Sequence, residues 1–229
     1  MPASTPAHAL LAGATGLVGA LTLRRLLADP RWARVTTLVR RPTGVAHERL
    51  DERLVDFATL DNNEALPRAT AAICALGTTM KKAGSRDAFR AVDLHAVVAF
   101  ARAARAAGAD TFALVSSAGA DARSRTFYLK TKGEAEAAVA ALGFPSLTVL
   151  RPGVLLGDRG ESRPGEAIAR AILPFVSPLL AGPFRPYRPI GADVVAAALV
   201  RAAAASLPGQ HVLGNDAIAA MADPPKNDP

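Results

Sequence analysis

Tyr128 and Lys132 stand four residues apart in "YLKTK" and could together move a proton. Residues at that spacing share one face of a helix, and the surrounding "TFYLKTKGEAEAAVAALG" has the composition of a helix ending at Gly143. A phenolic hydroxyl is a poor proton-transfer group at neutral pH, and a neighbouring ammonium favours its ionised form. With only 2 tyrosines in 229 residues, the pair is a candidate for acid–base chemistry. Upstream, "VSS" supplies Ser116 and Ser117, hydroxyls able to hold a carbonyl oxygen, and strand alternation directs only one of them to a given face.

A second kind of chemistry is carried near the start of the chain by "HALLAGATGLVGALTLRRLLADP", where Gly13, Gly16 and Gly19 recur every third residue. No Lys or Arg precedes the apolar run, so it does not read as a secretory signal. It reads as a buried strand, His8 to Ala12, turning through "GATG" into a helix from Leu17 to Ala28. Glycines in such a turn let a pyrophosphate approach the backbone and the N–H groups of the helix N-terminus, although a tight turn that binds nothing has the same look. A second strand, Val35 to Val39, ends without the acidic residue that accepts from an NAD ribose; Arg40 and Arg41 follow instead. Their guanidinium forks match a 2′-phosphate, and equally the generic surface of an arginine-rich chain.

These residues must be positioned by the elements between them. A short third strand is expected at Leu54 to Phe57, a fourth in "TAAICALGTT", a fifth at Thr111 to Val115 and a sixth at Leu147 to Leu150. A helix from Arg86 to Ala107 closes at Gly108. Strands alternating with helices make parallel βαβ units, hence an α/β, doubly wound parallel sheet in a single domain, 1–229. Prolines crowd the last third, and residues 151–215 are expected to contribute a substrate-side lid with Phe175, Leu179, Leu180, Phe184 and Tyr187 as apolar walls. Residues 221–229 are expected to be a disordered tail.

Net charge +7 and pI ≈ 10.3 invite a nucleic-acid partner, but basic residues alternate with apolar ones in "FARAARAAG" rather than forming a block, so no specific nucleic acid is expected. Apolar runs such as "VVAAALV" are too short for a membrane span. The lone Cys74 and the scattered His8, His47, His95 and His211 offer no disulfide framework or metal spacing. A reducing cytoplasm fits, and the arginine and alanine usage points to a bacterial source.

The motifs together resemble the short-chain dehydrogenase/reductase superfamily in its atypical branch, and within it the oxidoreductase family named for its Tat-interacting member. The likeness spans nearly the whole chain, through "GATGLVG", the paired arginines, "CALGTTMKKAGS", "VSSAGAD", "YLKTKGEAE" and "RPGVLLGDRGESRPGE". It implies an NAD(P)-binding Rossmann fold in which Gly13, Thr15, Gly16, Leu17, Gly19, Arg40, Arg41, Leu76 and Gly77 hold NADPH, with Tyr128 and Lys132 as the catalytic pair. It further implies Pro152, Gly153 and Leu155 beside the nicotinamide and Arg163 as another contact, while Arg151 is expected to be structural. Two departures stand out. Ser117 is closer to Tyr128 than the serine of the best-known members, and is preferred to Ser116; the helical Asn of the family's tetrad has no clear equivalent, with Asp93 and His95 both in that neighbourhood.

The reading is an NADPH-dependent reductase acting on a carbonyl of a small apolar substrate. Ser117 would fix the oxygen, Tyr128 deliver the proton and Lys132 orient the nicotinamide ribose. A regulatory protein that binds NADPH without turnover would carry the same motifs. A nucleotide-sugar epimerase or dehydratase is disfavoured, because too little chain follows the sixth strand for the usual sugar-nucleotide domain.

Overall fold

The computed structural model describes residues 7–60, 66–157 and 186–223. Its centre is a run of short apolar strands: β1 (Ala7–Ala12), β2 (Trp32–Val39), β4 (Ala71–Cys74), β5 (Thr111–Val115) and β6 (Ser146–Leu150) are mostly or wholly buried along their length. Continuous burial of this kind requires cover on both faces, the hallmark of a parallel sheet. With β3 (Leu50–Leu54) and β9 (Gly209–Leu213) at the edges, seven strands pair in the order β3-β2-β1-β4-β5-β6-β9, all in parallel. The strand order reverses at β1 and β4, and a doubly wound sheet opens a crevice at that point, outside its carboxyl edge.

One layer of helices comprises α1 (Leu17–Ala28), α6 (Ala192–Ala205) and α7 (Asn215–Ala222), packed on Leu11, Val35, Ile73 and Leu150. The opposite layer contains α3 (Arg86–Arg90), a π-helical turn (Ala91–Ala96), α4 (Val97–Ala106) and α5 (Phe127–Ala140), covering Leu10, Leu38, Phe112 and Val149. A four-residue helix, α2 (Met80–Ala83), lies between β4 and α3, and β7 (Leu155–Leu156) pairs with β8 (Ile190–Gly191) in a separate two-stranded ladder.

The third strand is earlier than expected. It occupies Leu50–Leu54, pairing Val35 with Leu50 through Val39 with Leu54, rather than Leu54 to Phe57. As an edge strand it is half-buried and tolerates "LDERL", so backbone pairing rather than apolar content fixes its position. The stretch 151–215, expected as a lid, supplies the apolar helix α6 and the seventh strand β9. Alanine-rich α6 is buried over most of its surface and so lacks the polar stripe that marks an amphipathic helix. Met221 and Ala222, assigned to the tail from sequence, close α7. At the amino edge of the sheet His8 is absorbed into the framework, its Nδ1 2.8 Å from the Arg68 carbonyl and its Nε2 2.9 Å from the Thr36 hydroxyl.

Candidate functional site

The turn after β1 is built by exclusion of side chains. Gly13 has φ +90°, and a Cβ there would lie 2.5 Å from the Ala75 carbonyl carbon and 2.8 Å from Leu76 N, so the turns after β1 and β4 touch backbone to backbone. A Cβ on Gly19 would collide with the Gly13 carbonyl, which is how α1 comes to rest directly on the turn. Gly16 is the N-cap of α1 and donates to the Gly13 carbonyl at 2.9 Å. No side chain caps this helix and its first turn holds no acidic residue, leaving first-turn N–H groups for another acceptor. Thr15 and Gly16 are exposed, Leu17 half-buried.

Arg40 and Arg41 lie exposed just past the end of β2. No ion pair occupies either of them among the described residues, and the nearby carboxylate of Glu52 is taken by Thr43, through its N–H at 2.9 Å and its hydroxyl at 2.6 Å. Two guanidinium groups without an ion pair among the described residues therefore lie just past the carboxyl end of β2.

The proton-transfer candidates meet on the other side. Tyr128 lies in the first turn of α5 and is half-buried, its ring 5.5 Å from that of Phe89 on α3. One turn later Lys132 is buried, and its ammonium lies 2.7 Å from Oδ1 of Asp93 in the π-helical turn. Oδ2 of Asp93 accepts from the Thr78 N–H at 2.8 Å, which ties the pair to the loop after β4. Gly77 adjoins both, since a Cβ there would stand 3.5 Å from Lys132 Nζ and 3.5 Å from Asp93 Oδ1. Of the two residues near the missing asparagine, Asp93 is thus the one turned inward; His95 is exposed. A π turn within a helix often marks a functional position, because it re-aims side chains that α-helical phase would point elsewhere.

At the end of β5 the two serines differ. Ser116 is buried, with its hydroxyl unpaired among the described residues, whereas the half-buried Ser117 donates to the Ala118 carbonyl at 3.3 Å. The loop that follows is seated on α5 through Gly133, where a Cβ would strike Asp121 and Ala122 backbone. After β6, the Pro152 carbonyl accepts from Ala118 N–H at 2.9 Å and Gly153 N–H donates to Asn215 Oδ1 at 2.9 Å. Asn215 also donates to the Arg188 carbonyl at 2.6 Å, clamping the returning chain over Gly153. Leu155 pairs with Ile190 in the β7–β8 ladder. Arg151 turns away to a forked ion pair with Glu136, whose carboxylate raises the arginine's affinity for its proton, in keeping with a structural role.

Gly13, Leu76, Gly77, Ser117, Pro152 and Gly153 therefore follow the carboxyl ends of β1, β4, β5 and β6, while Tyr128 and Lys132 lie in the first turns of α5 and Leu155 in β7. Arg163 and the lid candidates Phe175, Leu179, Leu180 and Phe184 lie outside the described residues. Tyr187 is described: it is 40% exposed, and its hydroxyl is 2.5 Å from where a Gly119 Cβ would be. Sequence reasoning missed Asn215 and Gly133. The glycine immediately after the candidate lysine was the available signal for the second, and nothing local marked the first.

The residues present fit a dinucleotide on structural grounds: an uncapped helix N-terminus, a glycine turn that a Cβ would fill, and a buried ammonium with donors to spare. Comparison with known proteins agrees. Residues 13–171 match the family described as NAD(P)H-binding. The chain is 39% identical to protein fmp52, mitochondrial, of Emericella nidulans over 72% of this chain and 73% of that protein. It is 43% identical to protein HTATIP2 of Rattus norvegicus over 69% of this chain and 66% of that protein. A solved short-chain dehydrogenase/reductase superfamily protein from Agrobacterium tumefaciens with bound NAD superposes with TM-score 0.66 at 17% identity, covering 94% of this chain and 80% of that one, a likeness of fold. The relatives overturn the bacterial, simply cytoplasmic reading: one is fungal and named mitochondrial, the other mammalian. Arginine and alanine usage reflects coding composition rather than lineage, and one buried cysteine is compatible with any compartment.

Proposed function

Because this chain belongs to the NAD(P)H-binding family and is related to the fmp52 and HTATIP2 proteins, we propose that it is an NADPH-dependent reductase of a carbonyl on a small, largely apolar substrate. The observation that carries the reading is the buried Lys132 ammonium one helical turn from Tyr128, beside Gly77 and the uncapped turn of α1. NADPH, when bound, would supply the hydride that reduces the carbonyl carbon, becoming NADP⁺. Tyr128 donates its hydroxyl proton to the carbonyl oxygen as the C=O π bond opens, so that a C–H and an O–H bond form and the tyrosinate recovers its proton from solvent. Ser117 holds the oxygen once its weak contact to the neighbouring carbonyl is given up. Lys132 would orient the nicotinamide ribose. Gly13, Thr15, Gly16, Leu17 and Gly19 would receive the pyrophosphate, Arg40 and Arg41 the 2′-phosphate, and Leu76, Gly77, Pro152, Gly153 and Leu155 would line the remainder.

The test is oxidation of NADPH by the purified protein against a panel of aldehydes, ketones and quinones. Turnover is expected, and Tyr128→Phe should lower it by about 10² to 10⁴ while leaving NADPH affinity nearly intact, since only a hydroxyl is lost. A substrate turned over equally well by Tyr128→Phe would sink the assigned proton donor. Tight NADPH binding without any turnover would favour a regulatory protein that binds NADPH.

A further inference from the structure

Lys132 and Asp93 form a pair whose burial is unusual for two charges: their side chains are 7% and 0% exposed. An ammonium carries three N–H donors, yet Asp93 is the only acceptor that meets Lys132 among the described residues, and Oδ1 lies off its hydrogen-bonding direction. A buried cation with unused donors needs a further acceptor to offset its desolvation. Asp93 cannot follow the ammonium if it moves, because Oδ2 is held by the Thr78 N–H at 2.8 Å and the residue sits within the π-helical turn. Gly77 keeps the adjoining side open: even a methyl group there would stand 3.5 Å from both charged atoms.

The geometry points to Asp93 as a positioning residue that holds Lys132 with its unused donors facing the nicotinamide ribose hydroxyls of the bound dinucleotide, an inference that rests on the NADPH site argued above. A lysine stem has many rotamers, and a buried ammonium without a counter-charge either swings out to water or sheds its proton. A carboxylate anchored to the loop after β4 prevents both. It also couples that loop and the π-helical turn to α5, so the residues expected at the ribose are set as one unit before the dinucleotide arrives.

Two probes separate this role from general structural support: NADPH, followed by nicotinamide fluorescence, and adenosine 2′,5′-bisphosphate, which has no nicotinamide ribose, followed by calorimetry. Asp93→Asn keeps the shape and an acceptor for Thr78 while removing the charge. It should weaken NADPH about tenfold and leave the bisphosphate unchanged. Asp93→Asn combined with Lys132→Gln should bind NADPH no more weakly than Lys132→Gln alone. Unchanged NADPH affinity in Asp93→Asn, or equal loss of both probes, overturns the inference. Should Asp93→Asn alone not fold, the double variant, which buries no lone charge, still decides: NADPH binding weaker than that of Lys132→Gln overturns it. An unmodified protein that binds neither probe removes the dinucleotide reading itself, whereas a loss confined to the variant comparisons removes only the role of Asp93.

Discussion

Among the described residues Arg40 and Arg41 leave the sheet with no ion pair, and the Glu52 carboxylate accepts from Thr43. A guanidinium without an ion pair gives up only its water on meeting a phosphate, and a charge-assisted hydrogen bond contributes about 1.5 to 3 kcal/mol net. Arg40→Ala or Arg41→Ala should therefore weaken NADPH about tenfold or more and leave NADH unaffected, as read by fluorescence titration of both. Equal NADH and NADPH affinities in the unmodified protein would refute the 2′-phosphate assignment. Cys74 makes a different statement at the same scale. Burial pushes its thiol up from 9.0 to about 12, with a backbone hydrogen bond from Leu76 and the Lys132 charge pulling weakly the other way. A folded pKa above the unfolded one means that the native state keeps a proton the unfolded chain releases. This contribution is present in full below pH 9 and lost as pH rises towards 12. Urea midpoints measured from neutrality to pH about 10.5 should fall more steeply for the unmodified protein than for Cys74→Ala. Parallel curves would show that the thiol is not linked to folding.

Helix α5 is the element on which the site depends most, since it carries Tyr128, Lys132, Gly133 and Glu136 within three turns. Gly133 has helical geometry, so helix propensity alone would make alanine better there by about 1 kcal/mol. Packing argues the reverse. A Cβ would come within 2.7 Å of Asp121 Cα and closer still to its carbonyl carbon and Ala122 N. That loop has little room to yield, being fixed by Asp121 N–H to the Leu129 carbonyl at 3.2 Å and Ser124 N–H to the Asp121 carbonyl at 2.9 Å. Overpacking wins, and Gly133→Ala should cost about 1 to 3 kcal/mol in urea denaturation. Gly143, at the end of the same helix, offers the control: its φ is +67° but nothing lies within 4 Å of an added Cβ, so Gly143→Ala should cost only about 1 kcal/mol of backbone strain. A Gly133→Ala protein as stable as the unmodified one would mean that the loop moves freely.

The net charge is +7, and basic residues are spread along the sequence rather than gathered in one block. Arginines on several different elements are engaged by acids nearby: Arg31 with Asp29, Arg34 with Asp51, Arg90 with Glu134, Arg105 with Asp110, Arg151 with Glu136. Such a surface attracts polyanions only through its net field, which salt screens within about 10 Å at 0.1 M. Gel shifts with duplex and single-stranded DNA should show weak binding that disappears as salt rises towards physiological strength. Sequence-selective, submicromolar binding that survives such salt would overturn this account of the arginines. Among the described residues no helix is long and apolar enough to cross a membrane.

Local spacing was enough to recover the glycine turn, helix α1 with its bounds Leu17–Ala28, strand β5 and the Tyr128–Lys132 pair, because each depends on residues within a few positions of one another. What required the fold was every pairing across the chain. Helical spacing sets Asp93 and His95 on opposite faces but does not say which face meets α5, and only the packing of the π-helical turn buries the first against Lys132 and exposes the second. Strand β9 carries too little burial to announce itself and exists through its ladder with β6. Asn215 earns its place only because Gly153 and Arg188, both far from it in sequence, arrive on either side of its amide. Backbone preferences act over one or two turns and leave a trace in residue order; a buried ion pair or an amide clamp is fixed by the distance between atoms that only packing of the sheet and its two helical layers brings together.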